Sequence, residues 1–133
     1  MTAFSELAVT KDSTEPAPAT TPRVLVLLAT FNGARWLDEQ LDSIIAQQGA
    51  QVTILAADDG STDGTAALVE RRTAAWLAAP VLAPSGHQLG AAGNFLRLLR
   101  EAPLTGFDFV ALADQDDIWL PGRLARAVQH LAD

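Results

Sequence analysis

The sequence predicts a single α/β domain in which a parallel β-sheet carries helices on both faces. Short apolar runs, typical of buried strands, alternate with longer segments of helical spacing, and the alternation occurs four times after residue 23. Such alternation favours a parallel sheet with right-handed crossovers. With 133 residues, 49% of them hydrophobic, the chain is long enough to bury a real core.

The predicted strands and helices can be placed in order along the chain. The strands are predicted at about 23–29, 52–57, 80–83 and 107–113, and the helices at about 34–48, 64–78, 91–101 and from 121 onward. Gly49 signals the end of the first helix, Pro103 stops the third, and Pro121 suits the first position of the fourth.

The N-terminal 22 residues have a different composition from the rest. The segment TKDSTEPAPATTP, residues 10–22, is rich in Thr, Pro and Ala and shows no apolar period. Such a segment buries too little apolar surface to order itself. We therefore predict a flexible tail at 1–22 and a folded domain at 23–133.

The acidic residues after the tail are clustered rather than spread over helix surfaces. Six of these thirteen acids lie in two groups, each following a predicted strand: Asp58, Asp59 and Asp63, and Asp114, Asp116 and Asp117. The carboxyl ends of parallel strands meet at one edge of the sheet, where ligands bind. Both groups should therefore share one rim.

Crowded carboxylates repel one another unless a cation or hydrogen-bond donors compensate them. Carboxylate oxygens are hard ligands that suit Mg²⁺ or Mn²⁺, and such an ion can bridge carboxylates to a diphosphate. The other reading of DDGSTDG is purely structural, with acids capping the next helix, and the sequence leaves it open.

Composition excludes several classes of protein. A net charge of −7 disfavours nucleic acid as a partner, and the absence of cysteine excludes disulfides and thiolate metal sites. No apolar run reaches the ~18 residues of a transmembrane helix, and no secretory leader is recognisable. We expect a cytoplasmic protein without a transmembrane segment, working in the cytoplasm or at the cytoplasmic face of the membrane.

Other chemistries fit the spacing less well. Asp59, Ser61, Asp63, Gly64 and Glu70 match positions 1, 3, 5, 6 and 12 of an EF-hand loop, but the preceding segment is an apolar strand, not a helix.

DQDDI also resembles the aspartate motif of haloacid-dehalogenase-like phosphatases, and DD after a strand resembles response-regulator receivers. Both families use a lysine near the phosphoryl group, and the one lysine here is Lys11 in the tail. A histidine-based mechanism would depend on His87 or His130.

Four motifs together resemble a known family. VLVLLATFNGARWLDEQLDSIIAQ, ILAADDGSTDGT, GAAGNF and FVALADQDDIWLPGRL look like the N-terminal half of a family 2 glycosyltransferase of the Rossmann-like GT-A fold. The DQDDIW form is most similar to rhamnosyltransferase-like members. The resemblance spans about residues 23–131.

The resemblance implies a binding site for a nucleotide-diphosphate sugar, the first part of which holds the base. Phe31 and Asn32 would lie beside the base. Asp59 would accept a hydrogen bond from a pyrimidine, with Asp58 next to it.

The resemblance also implies a second part of the site, for ribose, diphosphate and metal. Asp114 would address the nucleoside sugar and share the metal with Asp116, which would coordinate Mg²⁺ or Mn²⁺ on the diphosphate. Gln88 stands where Asn or Arg is frequent near the diphosphate, and Ala29 stands where Thr or Pro is frequent. Asp117 would assist or cap a helix.

As a whole, the resemblance implies metal-dependent, inverting transfer of a sugar, such as rhamnose, to a glycan or lipid-linked acceptor. The donor would be dTDP-rhamnose or a UDP-sugar. The general base and acceptor half would lie beyond residue 133, so we assign no catalytic residue and expect a donor-binding half.

The rival interpretation is a non-catalytic nucleotide-binding or interaction module. A sheet cut from a larger one would also expose an apolar flank and favour self-association.

Overall fold

A computed structural model describes residues 21–114 and 117–132 of the chain. Within these ranges, three parallel strands form one sheet in the order β2-β1-β3: β1 is Arg23–Thr30, β2 is Gln51–Asp58 and β3 is Phe109–Asp114. Arg23 pairs with Gln51, and Val24 pairs with Phe109 on the other side. The predicted tail, except for its last two residues, lies outside the described residues.

Four helices flank the sheet: α1 Ala34–Ile45, α2 Thr65–Thr73, α3 Gly90–Glu101 and α4 Arg123–Ala132. The apolar residues of β1 are buried throughout, because alternate side chains point to opposite faces and both faces are covered. One face packs against Leu41 of α1 and Leu124 of α4, and the other packs against Leu98 of α3. The predicted parallel sheet with flanking helices is confirmed.

The predicted strand at 80–83 is wrong. Within this segment Leu82 alone bridges to β2, at Ala57, and a second isolated bridge joins Leu77, just before the segment, to Ile54. Pro80 lies between the two bridges and has no N–H to donate, so a continuous ladder cannot form there.

Three predicted helix ends also need correction. The second helix ends at Thr73 instead of 78, because the chain turns so that Ala78 N donates to the Ile54 carbonyl at the sheet edge, at 2.8 Å. The first helix ends at Ile45 instead of 48, and the fourth begins at Arg123 instead of Pro121. Both changes fit one hydrogen bond, in which Gln48 N donates to the Pro121 carbonyl, so that neither group takes part in a helix.

The strand order places a topological switch point at the carboxyl ends of β1 and β3. The chain leaves β1 to build β2 on one side and returns to build β3 on the other. In open parallel sheets the connecting loops diverge at such a point and leave a crevice, which is where ligands bind.

Candidate functional site

A cavity of about 320 Å³ opens at this switch point. The cavity is formed by β1, β3, α3 and the loop that follows β2. Its lining residues are Ala29, Thr30, Phe31, Asp59, Gln88, Gly90, Ala91, Asn94 and Asp114. Four of the residues predicted from the sequence are therefore brought together: Phe31, Asp59, Gln88 and Asp114. Asp59 and Asp114, one from each acidic cluster, share this edge of the sheet.

Asp59 joins the end of β2 to the start of α3. Its carboxylate accepts hydrogen bonds from Leu89 N at 2.8 Å and Gly90 N at 2.9 Å, and the residue is only 6% exposed. A negative charge at the N-terminus of a helix also interacts favourably with the helix dipole. Asp59 therefore fixes the wall of the cavity as well as lining it.

Asp58 is directed away from the cavity and organises the following turn. Its buried carboxylate accepts hydrogen bonds from Thr30 Oγ1 (2.8 Å), Gly60 N (3.1 Å), Ser61 N (2.7 Å) and Ser61 Oγ (2.6 Å). With four donors around it, this carboxylate has its hydrogen-bonding capacity filled by the protein.

Asn32 likewise connects two loops instead of lining the cavity. Its backbone N–H donates to Ser61 Oγ at 2.7 Å, and its side-chain oxygen accepts from Thr62 N at 2.8 Å. The residue adopts a φ of 48°, a left-handed conformation that Asn tolerates better than most residues. Asn32 thus fastens the loop after β1 to the loop after β2.

Asp63 ties together the first turns of two helices. Its carboxylate accepts hydrogen bonds from Ala34 N of α1, at 3.1 Å, and from the backbone and hydroxyl of Thr65 in α2. The Thr65 hydroxyl is the largest cause that holds the pKa of Asp63 below its ordinary value. The capping interpretation of DDGSTDG therefore describes Asp63, while Asp58 orders the turn and Asp59 faces the cavity.

Because the folded state lowers the pKa of Asp63, its stabilising effect should be present above the ordinary aspartate pKa of about 4 and disappear as the pH falls through the lowered pKa. We expect the melting temperature of Asp63→Asn to fall less steeply than that of the wild type on acidification from pH 5 to pH 2.5. Thermal melts at half-unit pH steps measure this. Parallel curves for the two proteins would contradict the assignment.

The end of β3 presents Asp114 to the cavity. Its carboxylate is exposed and accepts no hydrogen bond from the described residues, while its backbone carbonyl accepts one from Gln40 Nε2. Asp117 is exposed too, and its N–H donates to the same carbonyl at 3.3 Å. Asp116, the other predicted metal ligand, lies outside the described residues.

Sequence reasoning missed a row of polar residues, on α1 and just beyond its end, that holds the loop after β3. Gln40 bonds Asp114, Ser43 Oγ accepts from Trp119 N at 3.0 Å, and Gln47 bonds both the Leu120 carbonyl (2.7 Å) and Leu124 N (2.9 Å). Polar residues three and four positions apart beside an apolar helix stripe were the available signal. The partners of the two glutamines lie 73 to 77 residues away along the chain, so local sequence patterns could not predict them.

Asn94 on α3 was also missed as a side chain of the cavity. It is 1% exposed, and its side-chain nitrogen donates to the Ala57 carbonyl at 2.8 Å. The sequence signal was a polar residue at helical spacing from Leu98, on the side that faces the sheet.

The remaining candidates are placed elsewhere. His87 and His130 are exposed, and neither lines the cavity. Among residues 21–114 and 117–132, no three or more His, Cys, Asp or Glu side chains cluster closely enough to hold a metal ion. In the EF-hand alternative Glu70 would be a ligand, but its carboxylate accepts a hydrogen bond from Val81 N at 3.3 Å.

In the described part of the chain, no helix has both the length and the apolar character needed to cross a membrane.

The fold and the cavity define a Rossmann-like α/β domain with carboxylates at its switch point. The chain belongs to the glycosyl transferase family 2, whose model matches residues 25–133. The resemblance seen in the sequence, including its GT-A fold, is thereby confirmed.

Among curated proteins, the dTDP-rhamnosyl transferase RfbG of Shigella flexneri is 37% identical over 105 residues, which cover 78% of this chain and 36% of RfbG. This chain thus spans about a third of that relative.

Two solved structures have a fold similar to that of this chain. The mannosyltransferase PcManGT of Pyrobaculum calidifontis, in complex with GDP-Man and Mn²⁺, matches with a TM-score of 0.69 and 32% identity, over 90% of this chain and 35% of PcManGT. TarS of S. aureus matches with a TM-score of 0.65 and 25% identity, over 78% of this chain and 18% of TarS.

Proposed function

We propose that this chain binds a nucleotide-diphosphate sugar in the switch-point cavity and forms the donor side of a metal-dependent, inverting glycosyltransferase. The observation that carries the proposal is the meeting of Asp59, Asp114 and the first turn of α3 around one cavity. Family membership supports sugar transfer as the reaction. The proposed acceptor is a glycan or a lipid-linked sugar, bound by a part of the protein beyond the described residues.

The nucleoside and the diphosphate have different requirements in this cavity. The side chain of Phe31 offers an aromatic surface for a base, and aromatic surfaces stack well on bases. The exposed end of the cavity, with Gln88 and Asp114, is left for the ribose and the diphosphate. Asp58 and Asn32 support this arrangement by holding the loops, instead of by touching the ligand.

The residues at the end of β3 fit a divalent cation. Asp114 offers an exposed carboxylate that accepts no hydrogen bond from the described residues, and such oxygens are ligands for Mg²⁺ or Mn²⁺. We assign Asp114 and Asp116 as the ligands, the latter from its place in the DQDD motif. When bound, the cation neutralises charge on the departing nucleoside diphosphate.

The proposed donor is dTDP-rhamnose or a UDP-sugar. The relative named a dTDP-rhamnosyl transferase, 37% identical over 105 residues, supports the first. The Mn²⁺ in the PcManGT complex supports a metal-bound diphosphate in a related fold.

Calorimetric titration of the 133-residue chain with dTDP-rhamnose, UDP-glucose, UDP-GlcNAc and GDP-mannose, each with and without Mn²⁺, tests the proposal. We expect at least one pyrimidine donor to bind, with an affinity that rises at least tenfold when Mn²⁺ is added. Each donor is then incubated with the chain, and the released nucleoside diphosphate is measured. Failure of every donor to bind with Mn²⁺ would refute the proposal, and binding without turnover would favour the non-catalytic module.

A further inference from the structure

We propose that Asn94 is a specificity-determining residue whose side-chain oxygen accepts a hydrogen bond from an uncharged N–H or O–H group of the bound nucleoside. This inference rests on the proposed function and names one contact within the same cavity. It goes beyond the acidic motifs, because Asn94 carries no charge and belongs to neither of the two clusters.

The orientation of the Asn94 amide is fixed by the sheet. Its nitrogen donates to the Ala57 carbonyl at 2.8 Å, and a carbonyl can accept a hydrogen bond only from the nitrogen end of an amide. The oxygen Oδ1 is therefore directed elsewhere, and it has no hydrogen-bond partner among the described residues. A buried polar atom without a partner destabilises the protein, so this one calls for an explanation.

Asn94 lies one helical turn beyond Gly90, on the wall that α3 contributes to the cavity. Gly90 has no side chain and the neighbouring lining residue Ala91 has a small one, so little side-chain bulk of this turn separates Asn94 from the cavity. Asn94 is thus a lining residue of a ligand-sized cavity, and its buried amide oxygen is the one side-chain acceptor that α3 brings to this wall without a partner in the described structure.

The chemistry around Asn94 selects the kind of group that can approach. Asp59 adds a negative charge to the same cavity, so Asp59 and Asn94 together present oxygens and would repel a phosphate. An uncharged donor is favoured instead. In a nucleotide sugar, the imide N–H of the base and the hydroxyls of the ribose are such donors.

The Asn94 oxygen is covered in this structure, since the whole residue is 1% exposed. A ligand donor can therefore reach it only when the first turn of α3 shifts. That turn is held by the hydrogen bonds from Leu89 N and Gly90 N to Asp59. Binding should consequently change hydrogen exchange at these two amides.

Titrations of the full chain in Mn²⁺ with UDP, N3-methyl-UDP, 2′-deoxy-UDP and 3′-deoxy-UDP test the contact. The first analogue removes the donor of the base, and the other two each remove one ribose hydroxyl. For the wild type we expect one analogue to bind about tenfold more weakly than UDP, the effect of one lost hydrogen bond. Asn94→Ala should bind UDP about tenfold more weakly than the wild type does. The analogue that binds weakly to the wild type should bind to this variant with an affinity within twofold of that for UDP.

Leu96→Ala is the matched control, because Leu96 is on the same helix but 61% exposed and outside the cavity lining. It should bind all four ligands as the wild type does. Equal penalties for each analogue in wild type and Asn94→Ala would overturn the contact, as would wild-type affinity of Asn94→Ala for UDP.

If Asn94→Ala is poorly folded, as judged by its melting temperature, Asn94→Ser replaces it with the same expected result. A second outcome needs no variant: if the wild type binds all three analogues as tightly as UDP, the contact does not exist. Failure of the wild type to bind UDP or any donor sugar would instead defeat the proposed function itself.

Discussion

Replacing Asp114 by Asn is expected to weaken metal-dependent binding of a nucleoside diphosphate at least tenfold while the fold stays intact. The Asp114 carboxylate is exposed and accepts no hydrogen bond from the described residues, so its loss removes little from the folded state. The hydrogen bond from Gln40 goes to the backbone carbonyl of Asp114 and survives the substitution. Loss of about 1.4 kcal/mol of metal attraction is enough for a tenfold effect.

Without metal, the same substitution should not weaken binding of the nucleoside diphosphate and should even strengthen it. A carboxylate beside a diphosphate repels it when no cation lies between them, and Asn removes that repulsion. In EDTA, Asp114→Asn should therefore bind the nucleoside diphosphate as well as the wild type or better. Titrations with Mn²⁺ and with EDTA on the same protein preparations measure both signs.

Glu101→Gln provides a matched control for the change in net charge. Glu101 is exposed at the far end of α3, about 10 Å along the helix from Asn94, the last residue of α3 that lines the cavity. It should leave binding unchanged under both conditions. If Asp114→Asn keeps its Mn²⁺ enhancement, or if Glu101→Gln loses it, Asp114 is not a metal ligand.

The framework of the fold was predictable because it depends on local patterns. The runs that became β1, β2 and β3 are apolar and lie between clear turn signals, and their predicted bounds differ from the structure by no more than two residues. The segment at 80–83 is apolar as well, but Pro80 prevents a continuous ladder with β2, and one isolated bridge from Leu82 remains within it. An apolar run thus predicts burial more securely than it predicts a sheet ladder.

The sequence located the site at one edge of the sheet, but it did not show which way each side chain there points. Acids after parallel strands identified the correct edge, yet the sequence could not tell that Asp58 turns inward while Asp59 faces the cavity. Both follow one apolar strand, and alternation along the chain does not continue into a turn. Asn94 and Gln40 were not recognised because their partners, Ala57 and Asp114, are 37 and 74 residues away.

The double role of Asp59 affects how its variants are interpreted. Asp59→Ala would remove a proposed ligand contact and also free the N–H groups of Leu89 and Gly90. Weaker nucleotide binding by that variant would therefore not locate the contact. Variants of Asp114 and Asn94 are cleaner tests, because Asp114 supports no described hydrogen bond through its side chain and Asn94 supports one.

Asp58→Ala is expected to lower the free energy of unfolding by about 3 kcal/mol, the second large effect. The buried carboxylate is the shared acceptor for the Thr30 hydroxyl, the N–H groups of Gly60 and Ser61, and the Ser61 hydroxyl. Alanine leaves these donors without their acceptor in a site that water enters poorly. Since Ser61 also accepts the hydrogen bond from Asn32 N, both loops at the edge of the cavity should loosen.

Asp63→Ala separates the effect of burial from the number of hydrogen bonds. Asp63 accepts three hydrogen bonds in the same loop, but it is exposed, so water can replace the lost acceptor. Urea unfolding of the two variants should therefore show a clearly larger loss for Asp58→Ala, with nucleotide affinity falling in parallel. Equal losses would mean that the turn is held by its backbone conformation, and that the buried carboxylate of Asp58 is not what keeps the cavity edge in place.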